Sequence, residues 1–155
     1  EQVCIVMTAD CLPVLICDKA GTQVAAIHAG WRGLLDGIIE KTVDLFIADA
    51  SELLIWLGPA ISQSAFQVGG EVRRQFMQHD SAAEQAFVAD NHGKYLADLY
   101  LLAKQRLQHK DISSTQVYGG EYCTFQDSQQ FYSYRRDGQT GRQASLIYLA
   151  SQNAC

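Results

Sequence analysis

The chain has 155 residues, of which 48% are hydrophobic and 19% charged, and this composition is typical of a globular protein with its own core. Twelve basic and seventeen acidic residues leave a formal net charge of −5, which disfavours sequence-independent binding to nucleic acid. No apolar run approaches the roughly 20 residues of a membrane helix, and the N-terminus lacks a signal-peptide pattern. We therefore expect one cytoplasmic domain over residues 1–155, with neither nucleic acid nor membrane as a partner.

The five cysteines are scattered without C-x-x-C spacing, which argues against both a disulfide framework and a zinc ribbon. Cys4 and Cys17 lie in apolar runs and are interpreted as small core residues. Cys11 has polar neighbours, so it is the cysteine with the strongest case for chemistry.

The first part of the chain predicts three strands. They are E-Q-V-C-I-V-M-T (1–8), L-P-V-L-I-C-D (12–18) and T-Q-V-A-A-I-H-A (22–29). Alternation in the third strand puts Val24, Ala26 and His28 on one face, and we expect the sheet to be covered on both sides. Because the chain opens directly on a strand, the domain is predicted to be N-terminally incomplete, and the alternative is a native terminal strand tied into a sheet.

The middle of the chain predicts helices and one buried strand. Apolar residues at helical spacing indicate an amphipathic helix from Trp31 to about Asp49. E-L-L-I-W-L-G (52–58) is a strand that ends at Gly58-Pro59. Two further helices are predicted, from Glu71 to His79 and from Lys94 to His109.

The last part of the chain predicts three more strands. They are T-Q-V-Y (115–118), F-Y-S-Y-R-R (131–136) and A-S-L-I-Y-L (144–149), with D-G-Q-T-G-R as the connection between the last two. Strands that alternate with helices and close on adjacent strands indicate a mixed α/β or α+β domain. Its architecture is a layered mixed β-sheet with helices on its faces.

Cys11 and His28 lie at the ends of neighbouring predicted strands, so they are expected to converge in space. Such a pair can be a thiolate activated by imidazole, or two ligands of zinc or copper. The alternative is a core thiol and an unrelated surface histidine. A catalytic zinc usually has three protein ligands, so a metal site would need a third ligand from a segment upstream of this chain.

The hexapeptide H-A-G-W-R-G (28–33) gives His28 a distinctive setting. Its small residues allow the backbone to approach a ligand closely, and Trp31 offers a stacking face. Arg32 at a helix N-terminus would favour phosphate or carboxylate. The alternative is that Trp31 anchors the helix to the core and Arg32 is a solvent-exposed charge.

A second group of basic residues lies near the C-terminus, where Arg135, Arg136 and Arg142 fall within eight residues. Alternation along residues 131–136 sends Arg135 and Arg136 to opposite faces. An inward-facing arginine must meet an anion, so one of the two is predicted to do so, and the spacing leaves open which.

Four motifs in this order resemble the YfiH-type domain, also called the laccase-domain or multicopper polyphenol oxidase family and the LACC1 type of purine nucleoside phosphorylase. They are T-A-D-C-L-P-V-L, H-A-G-W-R-G, L-G-P-A-I and S-Y-R-R-D-G-x-T-G-R, and the resemblance covers Val3 to Leu149. One departure is A-I-S-Q-S-A-F-Q-V, where many relatives have cysteines and this chain has Ser62, Ser64 and Ala65. This difference weakens any role for a thiol in that loop and any picture of a multi-copper cluster.

The resemblance implies a metal site of three ligands, of which Cys11 and His28 are two and a histidine upstream of this chain is the third. It implies zinc as the cofactor, with copper left open. The implied activity is phosphorolysis of adenosine, inosine and methylthioadenosine, with adenosine deamination. Purine nucleosides and phosphate are then the partners, and a homodimer is left open.

In that hypothesis Cys11, His28 and Arg32 are catalytic, while Trp31 and Arg135 or Arg136 contact the substrate or phosphate. Copper-dependent phenol oxidation is one alternative, but four scattered histidines cannot hold a trinuclear copper cluster. A second alternative is a Cys/His hydrolase, since the pair also resembles that of cytotoxic deamidase toxins with a related fold. A third alternative is a non-catalytic module that binds nucleotides without turnover.

Overall fold

The computed structural model describes residues 2–150, which form a mixed α+β fold built on three β-sheets. The strands in this range are β1 (Val3–Thr8), β2 (Leu12–Asp18), β3 (Val24–Ala29), β4 (Leu53–Leu57), β5 (Gln67–Gly69), β6 (Phe87–Ala89), β7 (Lys94–Ala97), β8 (Val117–Gly119) and β9 (Gln143–Tyr148). The helices are α1 (Trp31–Leu35), α2 (Ile38–Val43), α3 (Gly70–His79), α4 (Leu99–Gln108) and α5 (Tyr134–Asp137). Short 3-10 turns lie at Ala50–Glu52, Gln63–Ala65, Ser81–Ala86, Asn91–Gly93 and Ser114–Gln116.

The central sheet has the strand order β3-β2-β4-β8, with β2 antiparallel to both β3 and β4 and β8 parallel to β4. Its core face carries alternate residues of β2, β3 and β4, because successive side chains of a strand point to opposite faces. These residues are Leu12, Val14, Ile16, Ile27, Ala29, Leu53, Ile55 and Leu57, and all of them are buried. Helices α1 and α2 contact β3, and both also contact α4.

Two smaller sheets complete the fold. β1 pairs antiparallel with β9, and this ribbon contacts β2 and β3. The third sheet has the antiparallel order β5-β7-β6. Within the described residues, no helix is long and apolar enough to cross a membrane.

The first three predicted strands, the strand before Gly58, the helix ending at His79 and the final strand are confirmed. The predicted strand T-Q-V-Y is confirmed as β8, although it is shorter than predicted. The expectation that the sheet is covered on both sides holds only in part. Val24 and Ala26 are half-buried on the second face of β3, but His28 on that face is exposed.

The predicted helix from Trp31 to about Asp49 is wrong, because it is two short helices followed by irregular chain. Gly37 has φ 78° and its N–H donates to the carbonyl of Leu34, which is the left-handed glycine geometry that ends a helix. The apolar periodicity continues through the break because α1 and α2 both pack residues against the core.

The predicted start of the third helix at Lys94 is also wrong. Residues Lys94–Ala97 form β7 between β5 and β6, and the helix begins at Leu99. The Asp98 carboxylate accepts a hydrogen bond from the N–H of Leu101 at 2.9 Å and so caps α4.

The predicted strand over residues 131–136 is wrong as well, because Tyr134–Asp137 form the one-turn helix α5. The Ser133 hydroxyl accepts a hydrogen bond from the N–H of Arg136 at 3.2 Å and caps this turn. D-G-Q-T-G-R therefore leads from a helix into β9 and is not a hairpin turn.

Candidate functional site

The candidate site lies where β1 turns into β2 and β3 turns into α1. Cys11 occupies the first corner and Gly30 the second, and Leu12 opposite Ala29 is the last pair of the ladder before them. A Cβ added at Gly30 would lie 2.9 Å from the Cys11 Sγ atom. The thiol therefore packs directly against the Gly30 backbone, where only glycine leaves it room.

The strand register brings Cys11 and His28 to the same end of the β2–β3 ladder. Pro13 is directly opposite His28. Cys11 lies two residues before Pro13 and directly before Leu12, the first paired residue of β2, so it lies just beyond the strand end that is near His28. His28 is exposed and Cys11 is half-buried, so a ligand between them could be reached from solvent.

Asp10 is buried beside Cys11. Its backbone φ is 92°, a value that residues other than glycine rarely adopt. Its Oδ1 accepts a hydrogen bond from the Thr124 hydroxyl at 2.7 Å, and its Oδ2 accepts one from the Arg135 N–H at 2.6 Å. Its carbonyl accepts a third from the N–H of Ile61 at 3.0 Å. Asp10 thus joins the corner to three distant segments, which contain Ile61, Thr124 and Arg135.

A cavity of about 150 Å³ opens at this corner. Its walls are mostly apolar and aromatic, with one thiol, one carboxylate and one guanidinium. The lining residues are Ala9, Asp10, Cys11, Trp31, Ile61, Phe66, Leu99, Tyr134 and Arg135. Of the predicted site residues, the cavity brings together Cys11, Trp31 and Arg135.

Arg32 lies outside the residues that line the cavity, and its guanidinium carbon stacks 4.4 Å from the centre of the Trp31 ring. The side chain is exposed. α1 has only five residues. Its dipole therefore stabilises a bound anion much less than the dipole of the long helix predicted from the sequence would have done. Arg32, at the rim of the site, would therefore attract an anion mainly through its own charge.

The two neighbouring arginines of α5 have different environments. The Arg136 guanidinium donates to the carbonyls of Thr124, Phe125 and Phe131 and twice to the Asp137 carboxylate. These contacts use all five N–H groups of Arg136. Arg136 is therefore the arginine that turns inward, and its partners are carbonyl oxygens and one carboxylate of its own chain. The geometry therefore argues against the predicted phosphate contact for Arg136.

Arg135 is the arginine that faces the cavity. Its guanidinium carbon lies 5.3 Å from the centre of the Phe66 ring, and Nη1 donates to the carbonyl of Gln67 at 3.0 Å. The remaining N–H groups are exposed at the cavity wall, where an anion can be bound by a planar fork.

Burial raises the pKa of the Cys11 thiol, the negative charge of Asp10 raises it further, and Arg142 partly offsets both. Thiolate is the nucleophilic form of cysteine, and reactive cysteines have a lowered pKa. The environment of Cys11 in this chain thus works against a free thiolate nucleophile.

Thiolate and imidazole are ligand types that zinc prefers, so Cys11 and His28 fit a zinc site in kind. They do not complete one. Across residues 2–150, no three histidine, cysteine, aspartate or glutamate side chains are grouped so that they could hold a metal ion. The described part of the chain supplies two of the three protein ligands that a catalytic zinc usually has.

Several site residues were missed from the sequence. Phe66 and Tyr134 line the cavity and Asp10 ties it together, yet Phe66 lies in a loop and Tyr134 in a segment predicted to be a strand. An aspartate between two small residues before a strand was the one local signal for Asp10. Its partners, 114 and 125 residues away, have no signature in the sequence.

Comparison with known proteins gives a consistent family. A family model described as multi-copper polyphenol oxidoreductase laccase matches residues 1–150. The purine nucleoside phosphorylase YfiH of Escherichia coli strain K12 is 56% identical over 148 residues, which cover 95% of this chain and 59% of that protein. A purine nucleoside phosphorylase of Haemophilus influenzae is 54% identical over 151 residues, which cover 96% of this chain and 61% of that protein.

Solved structures share the fold. A Neisseria meningitidis protein that is 50% identical matches with a TM-score of 0.92, over 96% of this chain and 61% of that one. The hypothetical protein YfiH of Bacillus licheniformis is 30% identical and matches with a TM-score of 0.91, over 96% of this chain and 58% of that one. The chain thus spans about three-fifths of the length of the curated relatives that it matches.

Proposed function

Because this chain belongs to the multi-copper polyphenol oxidoreductase laccase family, in which similar proteins carry the name purine nucleoside phosphorylase, we propose that it acts in phosphorolysis of purine nucleosides. The proposed substrates are adenosine, inosine and methylthioadenosine, and the proposed side activity is deamination of adenosine. The observation that carries the proposal is the cavity that joins Cys11, Trp31 and Arg135.

The size and walls of the cavity suit the purine base. Pockets that enclose whole drug-sized ligands measure about 300–1,000 Å³, so a cavity of about 150 Å³ takes a part of a nucleoside. A flat bicyclic base is the apolar part, and Trp31, Phe66 and Tyr134 offer ring surfaces on which it can stack. The sugar and phosphate then lie toward the open side, near the arginines.

Arg135 is the proposed phosphate contact, and Arg32 a second cationic group at the rim. In phosphorolysis a phosphate oxygen forms a bond to the anomeric carbon while the bond from that carbon to the base nitrogen breaks. The bonding electron pair leaves with the base, which takes up a proton, and the other product is ribose 1-phosphate. Positive charge develops on the sugar, so a phosphate held in place by a guanidinium fork contributes attack geometry and electrostatic stabilisation.

Cys11 and His28 are proposed to provide two ligands of a zinc ion, and a histidine outside the described residues the third. Zinc bound there would supply Lewis-acid chemistry, which deamination of adenosine by water, with release of ammonia, requires. Copper remains the alternative metal.

The test is an assay of protein expressed from the complete gene, with adenosine or inosine and inorganic phosphate. We expect free base and ribose 1-phosphate in equal amounts. Arg135→Gln is expected to raise KM for phosphate at least about tenfold, since a charge-assisted bidentate contact is lost. Arg74→Gln, at an exposed arginine of α3, is the matched control and should leave KM unchanged. Absence of product in the wild-type protein would refute the proposal.

Metal analysis of the same preparations separates the metal site from the nucleophile. We expect about one zinc per chain, lost in Cys11→Ser and in His28→Ala, and retained in the matched controls Cys17→Ser and His92→Ala. A metal-free protein that is active and is inactivated by alkylation of Cys11 would favour the Cys/His hydrolase instead.

A further inference from the structure

The corner that carries Cys11 is held by a buried carboxylate that the proposed chemistry does not use. Asp10 accepts hydrogen bonds from Thr124 and Arg135 through its two carboxylate oxygens and from Ile61 through its carbonyl. Burying a carboxylate is costly unless its oxygens are hydrogen-bonded, and a positive φ costs more for an aspartate than for a glycine. Both costs fall on one residue beside the cavity.

The bond to Arg135 has the clearest consequence. α5 has only four residues, and an isolated turn of helix is not stable in water. Asp10 accepts the N–H of Arg135 in the first turn of this helix, where no intrahelical partner exists. The position of α5 relative to the cavity is thus set in part by a contact with a strand corner 125 residues earlier, in addition to the hydrogen bonds of Arg136.

The hydrogen bond from the Arg135 N–H to Asp10 also fixes the backbone from which the Arg135 side chain extends. From a backbone fixed by Asp10, the guanidinium reaches the Phe66 ring and the Gln67 carbonyl, which restrict it to one direction along the cavity wall. Without Asp10, the turn would still be held by the Ser133 cap and by the hydrogen bonds of Arg136, but the Arg135 N–H would lose its acceptor. The start of the Arg135 side chain would then be less well fixed.

We propose that Asp10 is a positioning residue, which orients the anion-binding guanidinium of Arg135 through the α5 backbone. This inference rests on the proposed phosphorolysis for its kinetic consequence. Its action is by hydrogen-bond geometry and not by negative charge, because both carboxylate oxygens are used as acceptors of fixed donors.

Two substitutions at this position separate geometry from charge. Asp10→Asn removes the charge but keeps an acceptor for the Arg135 N–H, while its amide donates to the Thr124 hydroxyl, which can also accept. Asp10→Gly removes the whole side chain, and glycine adopts φ 92° without strain, so the variant keeps the corner. We expect KM for phosphate to stay within about threefold in Asp10→Asn and to rise about tenfold in Asp10→Gly, with a much smaller change in kcat.

A double-mutant cycle tests whether Asp10 acts through Arg135. In an Arg135→Gln background, Asp10→Gly should change KM for phosphate by less than about twofold, since its target is already absent. If Asp10→Gly has the same effect in both backgrounds, or if Asp10→Asn is as damaging as Asp10→Gly, the proposal is wrong and Asp10 acts by charge or on Cys11.

A readout independent of activity separates failure of this inference from failure of the proposed function. Amide hydrogen exchange by NMR should show the Arg135 N–H protected in the wild-type chain, exposed in Asp10→Gly and protected again in Asp10→Asn. Unchanged protection in Asp10→Gly would overturn the inference. If the wild-type protein makes no ribose 1-phosphate, the proposed function fails while this exchange pattern still decides the role of Asp10.

Discussion

Gly30 and Gly33 show how two similar residues of one short motif have different roles. A Cβ at Gly30 would meet the Cys11 Sγ atom at 2.9 Å, which is closer than real Cβ atoms approach. A Cβ at Gly33 would meet Ile38 Cγ2 at 3.5 Å and the His28 carbonyl oxygen at 3.6 Å, which are ordinary contacts. The sequence suggested that both glycines let a ligand approach, whereas the structure assigns that space at Gly30 to a thiol.

We predict that Gly30→Ala disables the site while the fold remains stable. The added methyl group forces the Cys11 thiol into another rotamer, so the thiol leaves its present position against the Gly30 backbone. Zinc content and adenosine deamination should fall at least about tenfold, with a small change in melting temperature because only one side-chain end has to move. Gly33→Ala is the control, and it should retain activity and gain up to about 1 kcal/mol in free energy of unfolding from helix propensity. Equal activity in the two variants would contradict the prediction.

At the scale of elements, Tyr100 joins helix α4 to the loop that follows β4. Its hydroxyl oxygen accepts the Ala60 N–H at 2.8 Å and lies 2.8 Å from the Tyr122 carbonyl and 3.2 Å from the Gly58 carbonyl. Burial raises the pKa of Tyr100 to about 12, and the Ala60 N–H offsets only part of this. The phenol thus contributes to stability as a neutral group.

The Tyr100→Phe variant should lose about 2 kcal/mol in free energy of unfolding near neutral pH, because the Ala60 N–H is left without its partner. The pKa of Tyr100 is higher in the folded state than the value of about 10 in the unfolded chain. Its contribution is therefore complete below about pH 10 and is lost as the pH rises toward about 12. Denaturant unfolding at several pH values should show the difference between wild type and variant shrinking over that range. The exposed Tyr118→Phe provides the control, and a difference that stays constant with pH would exclude this linkage.

The elements that the sequence predicted correctly are those in which local pattern and tertiary packing agree. β2 and β4 are apolar, bounded by turn residues and buried in the sheet, so one pattern determines both their conformation and their position. α5 is the opposite case. Residues 131–136 have strand-like composition, but Ser133 caps a helical turn and Asp10, far away in the chain, accepts the Arg135 N–H in that turn. A pattern within six residues contains nothing about an acceptor that far along the chain.

The candidate site was predictable to the same extent. Cys11 and His28 were paired from strand ends, and the β2–β3 register puts Pro13 opposite His28, two residues from Cys11. Their joint role as metal ligands stays a prediction. The choice between Arg135 and Arg136 depended on which guanidinium found partners in its own chain, and only the folded loop around Thr124 and Phe131 decides that. The shared cavity with Phe66 likewise results from packing between segments that are distant in sequence.

At the scale of the whole molecule, stability should differ between the two sheets that meet at the site. β2 is hydrogen-bonded on both sides, to β3 and β4, and its core residues are fully buried. Within residues 2–150, β1 pairs with β9 alone, and its outward side chains are half exposed, with Val3 at 55% and Ile5 at 54%. The ribbon has fewer buried contacts to lose, so it should open locally before the central sheet unfolds.

We therefore predict that backbone amides of β1 and β9 exchange with solvent faster than those of β2 and β4 in the 155-residue chain. Exchange measured by NMR or mass spectrometry should show this fast opening ending before Cys11, because Asp10 is tied to Ile61, Thr124 and Arg135. In Asp10→Gly the two side-chain bonds are gone, so the fast region should extend into the corner and reach Cys11. Uniform protection across both sheets would mean that the ribbon and the central sheet unfold as one unit, and that Asp10 is not the point at which local opening stops.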